Sequence, residues 1–467
     1  MHRHFLVAAC VVLSLASHAT AQDKPVAFLN ARLITCAPDS HEIEQGVLII
    51  EKGKIVAAGD ATTVRLHGDL EKIDCQGKTI IPGIIDTHSH VGGVAGADGS
   101  SPIQPDVRIL DSINPADSGF RRVVAGGITT LNVMPGSGHL LSGQTLYIKP
   151  RKANTIEEMY VYKTAAEVPA GLPWPFGGIK MANGTNSLGE PPFSGTRGKS
   201  AALVRERFIK AQEYQAKFAK YEVDKKAGKD VEAPDRDLAL EALVEALEGK
   251  RIVHHHTHRA DDIMTVLRLQ QEFGFRVVLH HTSEAWKVAS ELADAHQKDP
   301  KFLGCSIILV DSPGGKLEAA NMNLECGAIL EKAGVPTAIH TDDWINDSRL
   351  FIRCGAMAVR NGMTHDAALR ALTIEGAKML DLDKKVGSLE AGKDADFVIL
   401  SGDPFSVYTK VEQTWIEGGK VFDRSKPEDA LYATGGFGAG RDQEPYMCCA
   451  PNGGFGFAGK SWGTSKE

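Results

Sequence analysis

Cysteine is scarce in this chain, with eight among 467 residues and none at the paired spacing of a metal knuckle. With Cys10 set aside in the leader described below, an odd and scattered set remains: Cys36, Cys75, Cys305, Cys326, Cys354, Cys448 and Cys449. That set specifies neither a disulfide framework nor a thiolate metal site. Basic charge is also short: 52 Lys and Arg face 59 Asp and Glu, a net charge of −7. A nucleic-acid surface is therefore not expected. No apolar run is long enough to cross a bilayer as a helix, so no membrane span is expected. Glycine is plentiful, yet no glycine-rich dinucleotide loop follows the first strand of the central region. What is present is 43% apolar and 24% charged residues, an ordinary globular balance that can bury the core of one or two domains.

Residues 1–22 read as a secretory signal peptide rather than part of the fold. Arg3 and His4 give a short basic start, Phe5 to Leu15 an apolar run, and Ala19-Thr20-Ala21 a small-x-small cleavage site. The mature chain then starts near Gln22 and is exported, to the periplasm or the medium. Val7-Ala8-Ala9-Cys10 is a competing lipoprotein box, but few apolar residues precede Cys10 and the run continues past it.

Short β patterns occupy both ends of the remaining chain. Val26–Leu29, Val47–Glu51 and Lys54–Gly59 lie at one end, punctuated by glycines, and Asp396–Leu400 and Gln413–Glu417 at the other. Neither set suffices alone, so residues 23–78 and 386–430 are expected to pair into one small β-sandwich domain. Between them, over 79–385, strands alternate with helices. Strands are expected at 79–86, 127–134, 145–149, 178–182, 251–256, 275–281, 305–310 and 335–341, and helices at 201–220, 238–248, 263–272 and 284–296. Eight strands alternating with helices predict parallel pairing and an α/β fold of the (β/α)8 barrel type. Thr364 caps a late helix that carries Asp366 in its first turn. Residues 184–200 read as a long loop over the barrel mouth, and 217–237 as a solvated helical excursion. Residues 431–467 read as a Gly-rich tail.

Histidine is where the chemistry lies. Leaving out His2, His4 and His18, nine histidines fall at expected strand ends: 88, 90, 254, 255, 256, 258, 280, 281 and 340. Carboxyl ends of barrel strands are where functional groups converge. His88 and His90 share a face by the two-residue period of a strand, as do His254, His256 and His258. Paired neutral imidazoles suit a borderline divalent metal such as Zn2+, and Asp342 or Asp343 supplies a carboxylate beside it.

The run Ile81-Pro82-Gly83-Ile84-Ile85-Asp86-Thr87-His88-Ser89-His90 resembles the first-strand signature of the amidohydrolase superfamily. Gly387-Ser388-Leu389-Glu390-Ala391-Gly392-Lys393-Asp394-Ala395-Asp396-Phe397-Val398 resembles the return of that superfamily's chain into its β-domain. The similarity runs from about residue 25 to 425 and is nearest the branch of imidazolonepropionase and prolidase-like dipeptidases. The resemblance implies His88 and His90 as the first metal pair, His256 and His281 as ligands from later strands, and Asp342 as ligand and catalytic base. His258, His280 and Asp343 stand as alternatives at the doubled positions. It also implies that Lys180 is carboxylated and bridges two metals; its other reading is a surface or salt-bridged lysine. The branch carries an acid where this chain has Thr185, which leaves one or two metals per chain open.

The resulting reaction is hydrolysis of an amide-type C–N bond by metal-activated hydroxide, with Asp342 moving the proton. His139, Arg197 and His258 are the expected substrate-binding residues, Arg197 as a bidentate carboxylate partner. Export favours dipeptides or N-acyl amino acids as small-molecule substrates. Cyclic amides or lactones come second, and a metal-free binding protein on the same scaffold third. A homo-oligomer is compatible with everything above.

Overall fold

The computed structural model describes residues 24–38, 42–94, 98–312, 315–343, 345–436 and 439. The expected leader at 1–22, Cys448, Cys449 and nearly all of the expected tail lie outside these residues. The two chain ends do meet. They form one eight-stranded sheet in the order Gly419–Asp423, Val411–Ile416, Phe397–Leu400, Thr79–Pro82, Val26–Ile34, Glu42–Glu51 and Lys54–Asp60, with Glu71–Asp74 also paired to Val26–Ile34. The side chains explain why such distant segments pair. Phe28 from one end packs edge-on against Phe397 and Trp415 from the other, at 5.0 and 5.2 Å between ring centroids, and Phe397 stacks on Trp415. Around them Val26, Leu33, Leu48, Ile50, Ile80 and Leu389 close a separate apolar core.

The first expected strand, 79–86, is in fact two. Thr79–Pro82 belongs to the end sheet, antiparallel to Phe397–Leu400, while Ile84–Ser89 belongs to the central β/α layer, parallel to Ile128–Val133. Gly83 marks the transfer. A Cβ there would come within 2.1 Å of Thr129 Oγ1, so only glycine lets the chain pass that closely.

In the central layer Ile179–Ala182, Val253–Thr257, Val277–His281, Phe302–Ile307 and Thr337–Ile339 run parallel in sequence order. The expected third parallel strand, 145–149, is a correction. Leu146–Ile148 runs antiparallel to Ile128–Val133, and Leu141–Gln144 antiparallel to Ile179–Ala182. The connection from Val133 to Leu146 is partly taken up by the strand Leu141–Gln144 and holds no crossover helix, which parallel neighbours usually need. Ser89 bridges Asp343 in parallel, next to the last strand. Beside that bridge, Thr341 donates its hydroxyl and its backbone N–H to the two oxygens of Asp86, at 2.5 and 3.1 Å.

The helices mostly follow their caps. Thr196 accepts from Lys199 N at 3.2 Å, so the helix Arg197–Lys226 starts inside the segment expected to be loop to residue 200. It ends at Lys226, and 228–237 have no regular structure, so the expected excursion is only half helical. Asp237 caps Leu238–Leu247, and Thr364 caps His365–Ala371. The helix expected at 284–296 is a short turn, Ala285–Lys287, followed by Ala289–Lys298. Residues 431–434, assigned to the tail, close a helix Pro427–Thr434 that begins at a proline.

A buried charge cluster joins the two layers. Lys149 Nζ, fully buried, lies 2.5 Å from Asp394, 2.8 Å from Asp396 and 3.4 Å from Glu417, all three carried by the end sheet or its approach. Buried charges are tolerated only when paired this completely.

Candidate metal centre

Strand ends deliver the histidines to one buried region. Strand period alone places His88 and His90 on one face, and their Nε2 atoms lie 3.3 Å apart. Asp342 Oδ1 lies 3.4 Å from His88 Nε2 and 3.1 Å from His90 Nε2. His90 Nδ1 sits 2.8 Å from the carbonyl of Met134, which turns its Nε2 toward Asp342, as oriented metal ligands require. Beside this group stand His256, His258 and His281, whose ligand atoms also lie within 4.8 Å of one another. His281 Nδ1 is 3.9 Å from Asp342 Oδ2, which links the two groups.

Strand alternation cannot by itself turn both His280 and His281 inward. Here His281 takes φ +68° and Thr282 φ +47°. His280 reaches His88, at 3.2 Å between Nδ1 atoms, and His254, at 2.9 Å, while His281 packs on His256 and His258. Asp342 also has φ +49°. Left-handed backbone costs a non-glycine residue roughly 1–3 kcal/mol and gathers at functional sites. Asp343 turns away instead and accepts a hydrogen bond from Ser348 Oγ. Burial pushes its carboxyl up to about 6.

Lys180, inside the strand Ile179–Ala182 and paired with His254, is fully buried, which removes the surface reading. Its Nζ lies 3.0 Å from His88 Nε2 and 3.1 Å from Met134 Sδ. Arg197 donates from Nε to both oxygens of Asp262, at 3.1 and 2.9 Å, so its main partner is a carboxylate of the protein itself. His139 is buried against Phe193, 5.2 Å between ring centroids, with no hydrogen-bond partner on either ring nitrogen among the described residues. His258 Nδ1 lies 2.7 Å from Ser283 Oγ.

Sequence reasoning missed two groups. Lys316 Nζ lies 2.9 Å from His258 Nε2 and 3.4 Å from His256 Nε2, and Glu318 Oε1 lies 3.0 Å from the same ammonium. Both sit far along the chain from every histidine strand end, and the only local signal is a Lys-x-Glu beside glycines. His254, His280 and His340 form a deeper layer, anchored by Tyr147 OH at 2.7 Å from His254 and Ser306 Oγ at 2.8 Å from His340.

The electrostatics match ligands. Burial holds His88, His256, His258 and His281 well below the usual imidazole range, reinforced by Lys180 or Lys316 or by neighbouring imidazoles. They are neutral, with lone pairs available. Burial opposes ionisation of Asp342, but the hydrogen bond from His90 and the surrounding positive groups outweigh it and hold it below the usual carboxylate range. His281 Nε2 and His256 Nδ1 are buried with no hydrogen-bond partner among the described residues. Orphaned nitrogens, neutral imidazoles and an ionised carboxylate within ligand spacing fit a divalent metal ion.

A profile of the amidohydrolase family matches residues 79–421. The chain belongs to the amidohydrolase family. This family comprises hydrolases that act on carbon–nitrogen bonds, with imidazolonepropionases among this amidohydrolase's relatives. The imidazolonepropionase of Bradyrhizobium sp. is 25% identical over 79% of this chain and 91% of its own. Amidohydrolase tasK of Hapsidospora irregularis is 26% identical over 81% of this chain, which spans only 40% of that relative's length. Among solved structures, an amidohydrolase from Thermotoga maritima superposes with a TM-score of 0.74 at 32% identity, covering 85% of this chain and all of the other. Among the described residues no helix is long and apolar enough to cross a membrane.

Proposed function

We propose that this amidohydrolase is an exported, metal-dependent hydrolase of amide-type C–N bonds, acting on dipeptides or N-acyl amino acids. The observation that carries the metal reading is the convergence of the buried His88, His90 and Asp342, with ligand atoms within 4.8 Å of one another, beside the buried His256 and His281. His88, His90 and Asp342 would hold one cation, and His256, His281 and a carboxylated Lys180 a second. A divalent cation such as Zn2+ bound there supplies Lewis acidity toward a carbonyl and acidifies a water.

The chain's own groups do the rest. Asp342, ionised, accepts the proton of the attacking water and returns it to the leaving nitrogen as the C–N bond breaks. Met134 O holds His90 in place, and Ser283 does the same for His258. His139, with both nitrogens unsatisfied among the described residues, would bind substrate, and His258 would join it by exchanging Lys316 for the substrate. Arg197, locked on Asp262, positions the neighbouring loop.

The central strands are read as one barrel. Three contacts support that: the Ser89–Asp343 bridge, the Asp86–Thr341 hydrogen bonds, and the continuous segment Leu141–Ile148 that contacts strands of both sheets. The end sheet with its own aromatic core is read as a separate composite domain, residues 23–78 and 386–430. Export rests on the leader pattern of residues 1–22.

The imidazolonepropionase relative favours a second reading, hydrolysis of a cyclic amide. A panel of dipeptides, N-acyl amino acids, cyclic amides and lactones, assayed for ring opening or released amine, separates the two. Turnover of at least one linear amide is expected; turnover of cyclic compounds alone would establish the second reading.

A further inference from the structure

We propose that Lys316 is an internal cation that occupies the His256–His258 side of the site and thereby sets how tightly a second metal binds. This rests on the metal reading above and adds a residue to it that neither strand ends nor family signatures mark. Three acceptors from two segments, the end of Val253–Thr257 and the loop that carries Glu318, converge on one ammonium: His258 Nε2 at 2.9 Å, Glu318 Oε1 at 3.0 Å and His256 Nε2 at 3.4 Å. Each imidazole presents its Nε2 to Nζ within hydrogen-bond reach, and an ammonium can only donate, so each Nε2 accepts there.

Glu318 holds the ammonium there. It is buried, its Oε2 accepts from Thr185 N–H at 2.7 Å, and the guanidinium of Arg197 lies 3.7 Å away. The chain is shaped to admit it. Gly184 has φ +80°, and a Cβ at that position would come within 2.4 Å of Glu318 Oε2. The carboxylate is thus fixed by a backbone N–H, a glycine gap and an arginine itself locked on Asp262.

An imidazole nitrogen has one lone pair. It can accept from Lys316 or bind a metal, and cannot do both at once. His256 and His258 are two of the three members of the group with His281 that offers ligand atoms within 4.8 Å. A dication at that group therefore has to displace Lys316, and in a buried site it also repels the ammonium strongly. The group His88, His90 and Asp342 meets a different lysine, Lys180, whose Nζ lies 3.0 Å from His88 Nε2 and which is carboxylated in the proposed two-metal site, so exchanging Lys316 should leave uptake of the first metal unchanged. The consequence is two sites of unequal affinity, with the difference carried by one side chain on the loop after Phe302–Ile307.

The test is a zinc titration of the purified full-length protein, dialysed against buffered free Zn2+ and read by elemental analysis. Wild type, Lys316→Met and Lys316→Arg are compared. All three should take up the first metal at the same free Zn2+, which also reports that the variants are folded. Lys316→Met should take up the second at a free Zn2+ tenfold lower or more, and Lys316→Arg, which keeps the cation, should follow wild type. A Lys316→Met curve that superposes on wild type, or that moves to higher Zn2+, overturns the proposal. No first metal in any of the three proteins would instead overturn the metal reading of the site.

Discussion

Asp342 Oδ1 and His90 Nε2 lie 3.1 Å apart, although 252 positions separate the two residues in the chain. The contact joins the end of the first central strand to the end of the last, where His88 O also accepts from Asp342 N at 3.0 Å. It sets both the charge state of the carboxylate and its place beside the imidazoles.

Asp342→Asn should leave the fold intact and lower hydrolysis by about 10²–10⁴-fold, because an amide cannot accept the proton of the attacking water. Steady-state rates on the best substrate of the panel, with circular dichroism as the fold control, check it. Near-normal rates would move the role to another carboxylate.

Lys180→Ala should lose the second metal and most activity, since the proposed carbamate supplies the bridging oxygens. A small added carboxylate should restore part of both. Elemental analysis gives the metal count, and an unchanged count with full activity would show that Lys180 is not the bridge.

The charge cluster between the layers predicts a pH dependence of stability. Burial raises the Glu417 carboxyl, but Lys149, Arg151 and Lys163 outweigh it and hold it below its ordinary 4.5. A depressed folded value means that the unfolded chain binds the proton first. The stabilisation is therefore complete above the ordinary value and is lost as pH falls below it. Urea unfolding of wild type and Glu417→Gln should show a gap at pH 7 that closes progressively below about pH 4.5. A gap that widens in acid would contradict the assignment.

Phe28→Ala should cost about 3–5 kcal/mol, as aromatic truncations in a packed core do. Because Phe28 touches Trp415, the double variant with Trp415→Ala should cost less than the two single costs added together. Strict additivity in urea unfolding would argue against one core shared by the two chain ends.

Much of this was legible beforehand. Period two put His88 and His90 together; only the fold shows that His256 and His258 both enter one group with His281, and that Asp343 turns to Ser348 while Asp342 faces His90. The antiparallel course of Leu146–Ile148 was not legible, because an apolar run such as 145–149 carries no strand direction. His280 and His281 both reach the histidine network because of a left-handed backbone that no period reveals. Arg197 was expected to face a substrate carboxylate, and its nearest carboxylate is Asp262, a partner set by tertiary packing alone. Lys316 and Glu318 offered only a Lys-x-Glu beside glycines, and their meaning lies in which imidazoles they reach.

The central claim is that the buried histidines and Asp342 work through a metal ion. Hydrolysis by the purified protein, measured before and after exhaustive chelation and again after adding Zn2+ or Mn2+, tests it most directly. Activity should vanish with the metal and return with it; full turnover in protein shown by elemental analysis to be metal-free would contradict the account.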